Sequence, residues 1–395
     1  MEGATFVITS LQTWEMGMGT TIRNFTLELS KKNRVIYINT PLDHATWLRS
    51  KLNHKEDHRL DVIREKASPM RKIKENLWVL DFPFMVYSIN KIPSPLLFDF
   101  FNRINNKRIG KYIRKQLHEL NFDDFLLFID TDIYRSFYLK EFIKPRLSIY
   151  YRRDYVIGVA YWRKHGGRLE PLLAAKSDIV LGNSRLFCEE LRKYNPKTYL
   201  LETGVNLDLY NAEKVYPIPI DIKDILHPII GYVGSIFSLR LDENLLCSLA
   251  EKRQNYSFLF IGPEDEEFKG SSLHKMKNVF FIEARPMNDL PAYVSAFDVC
   301  INPQKVNEIT IGNYPLKIDE YLALGKPVVA TETPIMNDVF KDQVHLAKNT
   351  EEYLTLLDLG VKESNNSDLR KNRVRFARTH SWENRVSTLY DILSF

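Results

Sequence analysis

The chain has 395 residues, a net charge of +5, 44% hydrophobic and 27% charged residues. That composition excludes a disordered or low-complexity chain, and the length predicts two domains. The excess of Lys and Arg falls in the first 216 residues and the remainder is mildly acidic, so the N-terminal half is the one expected to meet phosphate, nucleic acid or anionic lipid.

In chain order, the first half reads as alternating strands and helices. Strands are predicted at 6–10, 35–39, 77–82, 125–129, 146–151, 179–182 and 199–202, with helices at 22–30, 102–120 and 184–193. A Gly-containing loop at 14–20 joins the first strand to the first helix, the order expected of a parallel sheet. Pro217, Pro219 and Pro228 punctuate 211–228, which reads as a linker. The alternation resumes with strands at 229–233, 258–261, 279–282, 299–302 and 328–331, and helices at 242–251, 288–296 and 316–324. The tail from 369 reads as helix. The expected architecture is α/β: two doubly wound parallel-sheet, Rossmann-like domains facing across a cleft. They comprise 1–210, a linker at 211–228, and 229–375, with a terminal helix at 376–395 packing back on the first.

Cys188, Cys247 and Cys300 lie far apart, without zinc spacing, and read as free thiols. No segment approaches the roughly 18 apolar residues of a spanning helix. The N-terminus shows no secretory pattern, so a cytoplasmic protein is expected. His44, His165 and His380 are isolated, and no metal or cofactor is expected.

The densest signal runs from Asn307 to Ala330, a polar loop, a Pro-started helix and a buried strand. Pro315 lacks the amide hydrogen that would go unpaired in a first turn. The amides near Leu316 and Lys317 then stay free to meet a phosphate, which the helix dipole also favours. Lys317 adds a mobile charge. Glu320, three residues on, shares its helix face and is spaced to take both hydroxyls of a ribose while the helix start holds a diphosphate. The competing reading is an ordinary amphipathic helix with a solvated Lys–Glu pair.

This stretch, Glu320-Tyr-Leu-Ala-Leu-Gly-Lys-Pro-Val-Val-Ala, resembles the donor-site helix of GT-B glycosyltransferases, in particular the retaining type that builds bacterial cell-surface polysaccharides, teichuronic-acid transferases included. Weaker similarities follow in the family's order: 8–14, 37–41, 175–184, 202–206, Gly231-Tyr-Val-Gly234, 278–282 and 290–293. The resemblance implies a nucleotide-sugar donor, linked to UDP or GDP, and a glycan or lipid-linked acceptor. By it, Glu320 binds the ribose, the backbone of Pro315, Leu316 and Lys317 meets the diphosphate, and 283–286, with Arg285, flanks the base. Gly17 and Gly19 approach the donor from the other domain. Two positions depart from the family's pattern. Gly312 stands where many relatives carry a second glutamate, so Glu308, Thr310 and Asn313 are the candidate replacements at the sugar, with Tyr314 a further donor-binding candidate. Ser235 follows Gly234 where an arginine is common, leaving Arg240 as the cation of that loop. These departures keep open a second reading, a GT-B protein that binds nucleotide sugars without catalysis. Nucleic-acid binding through the basic half is a third, against which stands the lack of a nucleic-acid motif.

Asp154, at a strand end after Arg152-Arg153, is a candidate catalytic residue beside Glu308 and Lys317, or else a local ion-pair partner. Asp130 and Asp132 are paired carboxylates for acid–base work, or, for Asp132, a cap, or else an Asp-x-Asp metal pair of the kind another transferase fold uses. The stretch 82–115 mixes apolar residues (Phe84, Leu96, Leu97, Phe100) with basic ones (Arg103, Lys107, Lys111, Arg114). It reads as a peripheral membrane contact or as a core helix with a solvated basic face.

Overall fold

The computed structural model describes residues 2–15, 21–52 and 58–394. The chain divides into two compact units, Met1–Glu202 with Val386–Phe395, and Thr203–Arg385. The division falls after Glu202 rather than at 210. The 211–228 segment is no free linker, because Ile222 is buried in the core of the second unit and Tyr216 and Ile225 pack against it.

The first unit holds an eight-stranded sheet of β1 Thr5–Ser10, β2 Arg34–Ile38, β3 Met70–Lys74, β4 Leu77–Leu80, β5 Leu126–Asp130, β6 Leu147–Arg152, β7 Ile179–Gly182 and β8 Thr198–Leu200, in the order β3-β4-β2-β1-β5-β6-β7-β8. All neighbours pair parallel except β3, which runs antiparallel to β4 at the edge. The sequence reading missed β3: Met-Arg-Lys-Ile-Lys is half-exposed or exposed throughout and carries no buried-strand signal. It also missed the helix Ala160–Lys176, whose interior contains Gly166, Gly167 and Pro171.

The helix predicted at 102–120 begins a full two turns earlier, at Pro95. Ser94 caps it, accepting from the Leu97 amide, and Pro95 takes the first position. Over these first turns the periodicity is masked because Leu96, Leu97 and Phe100 are apolar yet exposed. Three of the inward positions are Asn102, Asn105 and Asn106. Asn106 donates to the Tyr134 carbonyl at 3.1 Å and accepts from the Tyr138 amide at 2.9 Å. Asn105, paired with the Tyr87 backbone at 2.9 and 3.0 Å, and Asn106 are satisfied by the loops they hold, so they bury at little cost.

The second unit is a six-stranded, all-parallel sheet: β9 Ile229–Val233, β10 Ser257–Ile261, β11 Val279–Ile282, β12 Val299–Asn302, β13 Val328–Thr331 and β14 His345–Ala347, in the order β11-β10-β9-β12-β13-β14. Apolar clusters cover both faces of this sheet, as parallel sheets require. The helical tail is broken into Ser367–Thr379 and Trp382–Leu393, with His380 ending the first piece.

Arg152 ends β6 with 1% of its side chain exposed, 2.9 Å from Glu190 and 3.4 Å from Glu170. Its guanidinium also lies over Tyr155 and Phe187. Burial raises the Glu170 carboxyl above its ordinary value, and Arg152 opposes that shift. Arg152→Met is therefore expected to destabilise the first unit by about 3–5 kcal/mol at neutral pH. The penalty should shrink as pH falls and Glu170 takes up a proton. Thermal unfolding of the variant at two pH values measures both.

Candidate functional site

The order of the second sheet reverses between β9 and β12: the chain lays down β10 and β11 on one side of β9, then β12 to β14 on the other. The crevice beyond the carboxyl ends of β9 and β12 is where doubly wound sheets bind ligands. The loops that leave these two strands are zipped together. The Lys305 amide donates to the Arg240 carbonyl at 2.8 Å, the Lys305 ammonium to the Ser238 carbonyl at 2.8 Å, and Asn307 Nδ2 to the Leu239 carbonyl at 2.9 Å.

Into this crevice points the helix Leu316–Ala323. Lys317 lies back along it and donates to the Tyr232 hydroxyl at 2.6 Å, its ammonium 3.9 Å from the ring centroid. The Tyr232 hydroxyl in turn donates to the Ser235 carbonyl at 3.0 Å. Gly234 makes room for this contact. Its φ is +145°, and a Cβ there would stand 2.9 Å from Lys317 Nζ. The site thus gathers Gly234, Ser235, Lys317 and Glu320, with Arg240 close enough for its charge to act on Lys317.

The electrostatics are unusual for a lysine and a glutamate. Burial, with the like charge of Arg240, pushes Lys317 down to about 7, and Glu320 opposes that. Burial pushes Glu320 up to about 8; Lys317 opposes the shift, Asp319 adds to it, and a hydrogen bond from Tyr210 opposes it. Both groups therefore change charge near neutral pH, which marks the pair as a functional-site candidate.

What holds the helix was not foreseen. Asp319 has no exposed surface. It accepts from the Tyr314 hydroxyl at 2.6 Å and lies 2.7 Å from His380 Nδ1, while Tyr314 Oη and His380 Nδ1 are 3.2 Å apart. A carboxylate only accepts, so Nδ1 carries the proton of that contact. His380 is thus not isolated; it braces the helix Leu316–Ala323 from 61 residues away. Tyr321, two residues on, accepts from the Val233 amide at 2.9 Å and fixes the helix to the end of β9. The backbone bridge between Val205 and Ser381 joins the segments that carry Tyr210 and His380.

Other expected residues take different roles. Pro315 sits just outside the helix with φ −86° and ψ 82°. The Leu316 amide is not free but donates to the Tyr314 carbonyl at 3.2 Å, and Ile318 to the Pro315 carbonyl at 2.9 Å. Lys317, second in the helix, is the amide left without an intrahelical acceptor. Thr310 is fully buried, and its hydroxyl is turned into the loop, bonded to the Lys305 carbonyl and to the Asn307 amide. Asn307 Oδ1 accepts from the Ile309 and Thr310 amides, so Asn-x-x-Thr here closes a turn. Asn313 is buried, its amide donating to the Thr310 carbonyl, and Glu308 is exposed on the same loop. The Tyr314 hydroxyl faces Asp319 and His380 rather than solvent. Arg285 is held 2.8 Å from Asp221 and donates to the Tyr293 hydroxyl at 3.0 Å, so its charge is already matched. Gly17 and Gly19 lie outside the described residues.

In the first unit, Asp154 pairs with Arg153 at 3.1 Å, and Arg153 reaches Asp130 at 3.1 Å. Ser10 donates to the same Asp130 at 2.7 Å, where β1 and β5 end side by side. Asp132 accepts from the Arg135 amide and the Ser136 hydroxyl, which makes it a turn cap. Among the described residues no three His, Cys, Asp or Glu converge as a metal site.

Asp319→Ala would leave the Tyr314 hydroxyl and the His380 ring without their acceptor. It should cost about 2–4 kcal/mol, and Asp319→Asn, which keeps an acceptor for Tyr314, should cost less. The melting temperatures of the two variants decide the order.

Residues 227–355, which contain this crevice, match the family model for glycosyl transferases group 1. Over 191 residues the chain is 25% identical to the putative teichuronic acid biosynthesis glycosyltransferase TuaH of Bacillus subtilis (strain 168), covering 47% of this chain and 48% of that protein. The match thus spans about half the length of that relative. Among solved structures, Anabaena HepE in complex with UDP aligns with a TM-score of 0.66 and 13% identity, over 99% of both chains. Its complex with UDP-glucose gives 0.65 and 14% identity, over 98% of this chain and 99% of that one. Sucrose-phosphate synthase from Thermosynechococcus elongatus gives 0.68 and 15% identity, over 99% of both chains. The likeness to these structures is one of fold. The similarity to glycosyl transferases group 1 thus rests on residues 227–355, and the two parallel-sheet units have the GT-B fold.

Proposed function

We propose that this protein transfers a sugar from a nucleotide-diphosphate donor to a glycan or lipid-linked acceptor in cell-surface polysaccharide synthesis. The observation that carries this reading is the placement of Lys317 and Glu320 one helical turn apart at the switch point, beside the backbone cleared by Gly234. Lys317 and the helix start would meet the diphosphate, and Glu320 the ribose hydroxyls. Among UDP and GDP donors, UDP is preferred because similarly folded HepE is solved with UDP and with UDP-glucose. The TuaH similarity supports a cell-surface glycan product. Transfer of a hexose with retention, Glu308 at the donor sugar, Asp154 on the acceptor side and work at the inner face of the cell membrane complete the proposal.

The chemistry is electrostatic. Departure of the nucleoside diphosphate puts charge on its terminal phosphate, and a cation and helix start already aimed there stabilise that charge without reorganising. Removing such a group typically costs about 10²–10³-fold in turnover. Lys317→Ala and Glu320→Ala are each expected to lose transfer on that scale and to weaken UDP binding. Full transfer and donor affinity in either variant would sink the site assignment. Donor binding by the native protein with neither transfer nor donor hydrolysis would favour the non-catalytic reading.

The charge state of Lys317 predicts a pH dependence. Below about 7 the amine is protonated and meets the diphosphate as a cation. Above it, binding must first take up a proton. Affinity for a UDP-sugar, whose diphosphate does not titrate near neutrality, should thus fall about fivefold between pH 7 and 8. In Lys317→Met the part of that slope due to the amine should vanish, leaving only the contribution of Glu320, as calorimetric titration at the two pH values would show.

A further inference from the structure

The helix Pro95–Glu119 presents one continuous row to solvent. Leu96, Phe100, Arg103, Ile104, Lys107, Lys111, Arg114 and Lys115 follow one another at helical spacing, and all are exposed. The opposite row, from Phe98 to Leu117, is buried in the core of the first unit. The exposed row is divided along its length. Its first turns carry large apolar side chains that the fold leaves in water: Leu96 is 82% exposed, Leu97 53%, Phe100 60% and Ile104 37%. From Arg103 onward it is basic. The helix holds six Lys or Arg against one Asp and one Glu, a net of +4. The two acids are engaged: Asp99 pairs with Arg168 at 2.8 Å, and Glu119 lies 3.7 Å from Lys115. Lys107, Lys111 and Arg114 make no ion pair among the described residues.

An internal contact does not explain this surface, since its apolar and basic members are exposed together. A protein partner matched to it would need an apolar cleft continued by a long acidic stripe. A bilayer with anionic headgroups offers both, a hydrocarbon layer beside a sheet of negative charge, along any line in its plane. We propose that the exposed face of Pro95–Glu119 docks the protein flat on an anionic membrane, with Leu96, Leu97, Phe100 and Ile104 entering the acyl boundary and Arg103, Lys107, Lys111, Arg114 and Lys115 lying among the headgroups. The surface belongs to the first unit, shares no residue with the set assigned to the donor, and stands whether or not the transferase reading holds.

Co-sedimentation of the full chain with vesicles tests it. Binding is expected to vesicles containing phosphatidylglycerol, not to pure phosphatidylcholine, and to weaken as salt rises. Each cation at such a surface is worth roughly fivefold in partitioning, so Lys107→Gln/Lys111→Gln/Arg114→Gln should lose about a hundredfold. Leu96→Ser/Phe100→Ser should lose at least about tenfold while retaining salt sensitivity. All five side chains are exposed, and an unchanged melting temperature in each variant would confirm intact folding. No binding to anionic vesicles, or binding that neither variant weakens, overturns the proposal. So does a concentration-dependent dimer abolished by Leu96→Ser/Phe100→Ser together with an absence of vesicle binding, which would assign the face to a second copy of the chain.

Discussion

Asp319 is a carboxylate without solvent, set one position before Glu320 on the helix that the candidate site is built upon. Burying a charge is tolerable only when its lone pairs are met, and here Tyr314 and His380 meet them. The pairing has geometric results. Tyr314 is drawn inward, Pro315 is placed just outside the helix, and Lys317 emerges toward β9. Glu320, the residue after Asp319, is held by Tyr210 from the same pair of bridged segments. A single buried anion therefore ties the loop after β12, the helix and the end of Ser367–Thr379 into one unit.

Lys317 and Glu320 are consequences of that frame. Their surroundings are apolar enough to raise the cost of charge on both, yet each is the other's best counter-charge. The lysine rests on a tyrosine ring, and the tyrosine hydroxyl donates its own hydrogen bond to a backbone carbonyl. The orientation of the ammonium is therefore fixed before any ligand arrives, which is what electrostatic stabilisation of a leaving group requires.

Much of this was legible in the sequence. The strands of the second unit show as short apolar runs because both faces of a parallel sheet are covered, and the helix at 316 shows through Pro315 and Gly325. The resemblance carried the ribose and diphosphate roles onto Glu320 and Lys317, the two residues found together. What could not be read was polar and distant. His380 lies 61 residues from Asp319, and an acidic residue on a helix does not announce whether it faces water or a histidine. Arg285 and Asp221 are likewise 64 apart. Thr310 shows the reverse difficulty. Its hydroxyl looks available in the sequence, but Asn307 sits three residues before it, and the two close on each other. The helix at 95–119 hid its beginning because Leu96, Leu97 and Phe100 are apolar on the side that faces water, which leaves its first two turns without an amphipathic pattern.

The pairing of Lys317 with Glu320 also makes the crevice a proton store. With one group changing charge near pH 7 and the other near 8, the empty site exchanges protons with the medium in the range where cells work. An anion that settles on the lysine draws a proton in from solution. The heat of that association then contains the ionisation enthalpy of whatever buffer supplied the proton. Two buffers of different ionisation enthalpy at one pH would report different binding enthalpies, and their difference counts the protons the crevice takes up.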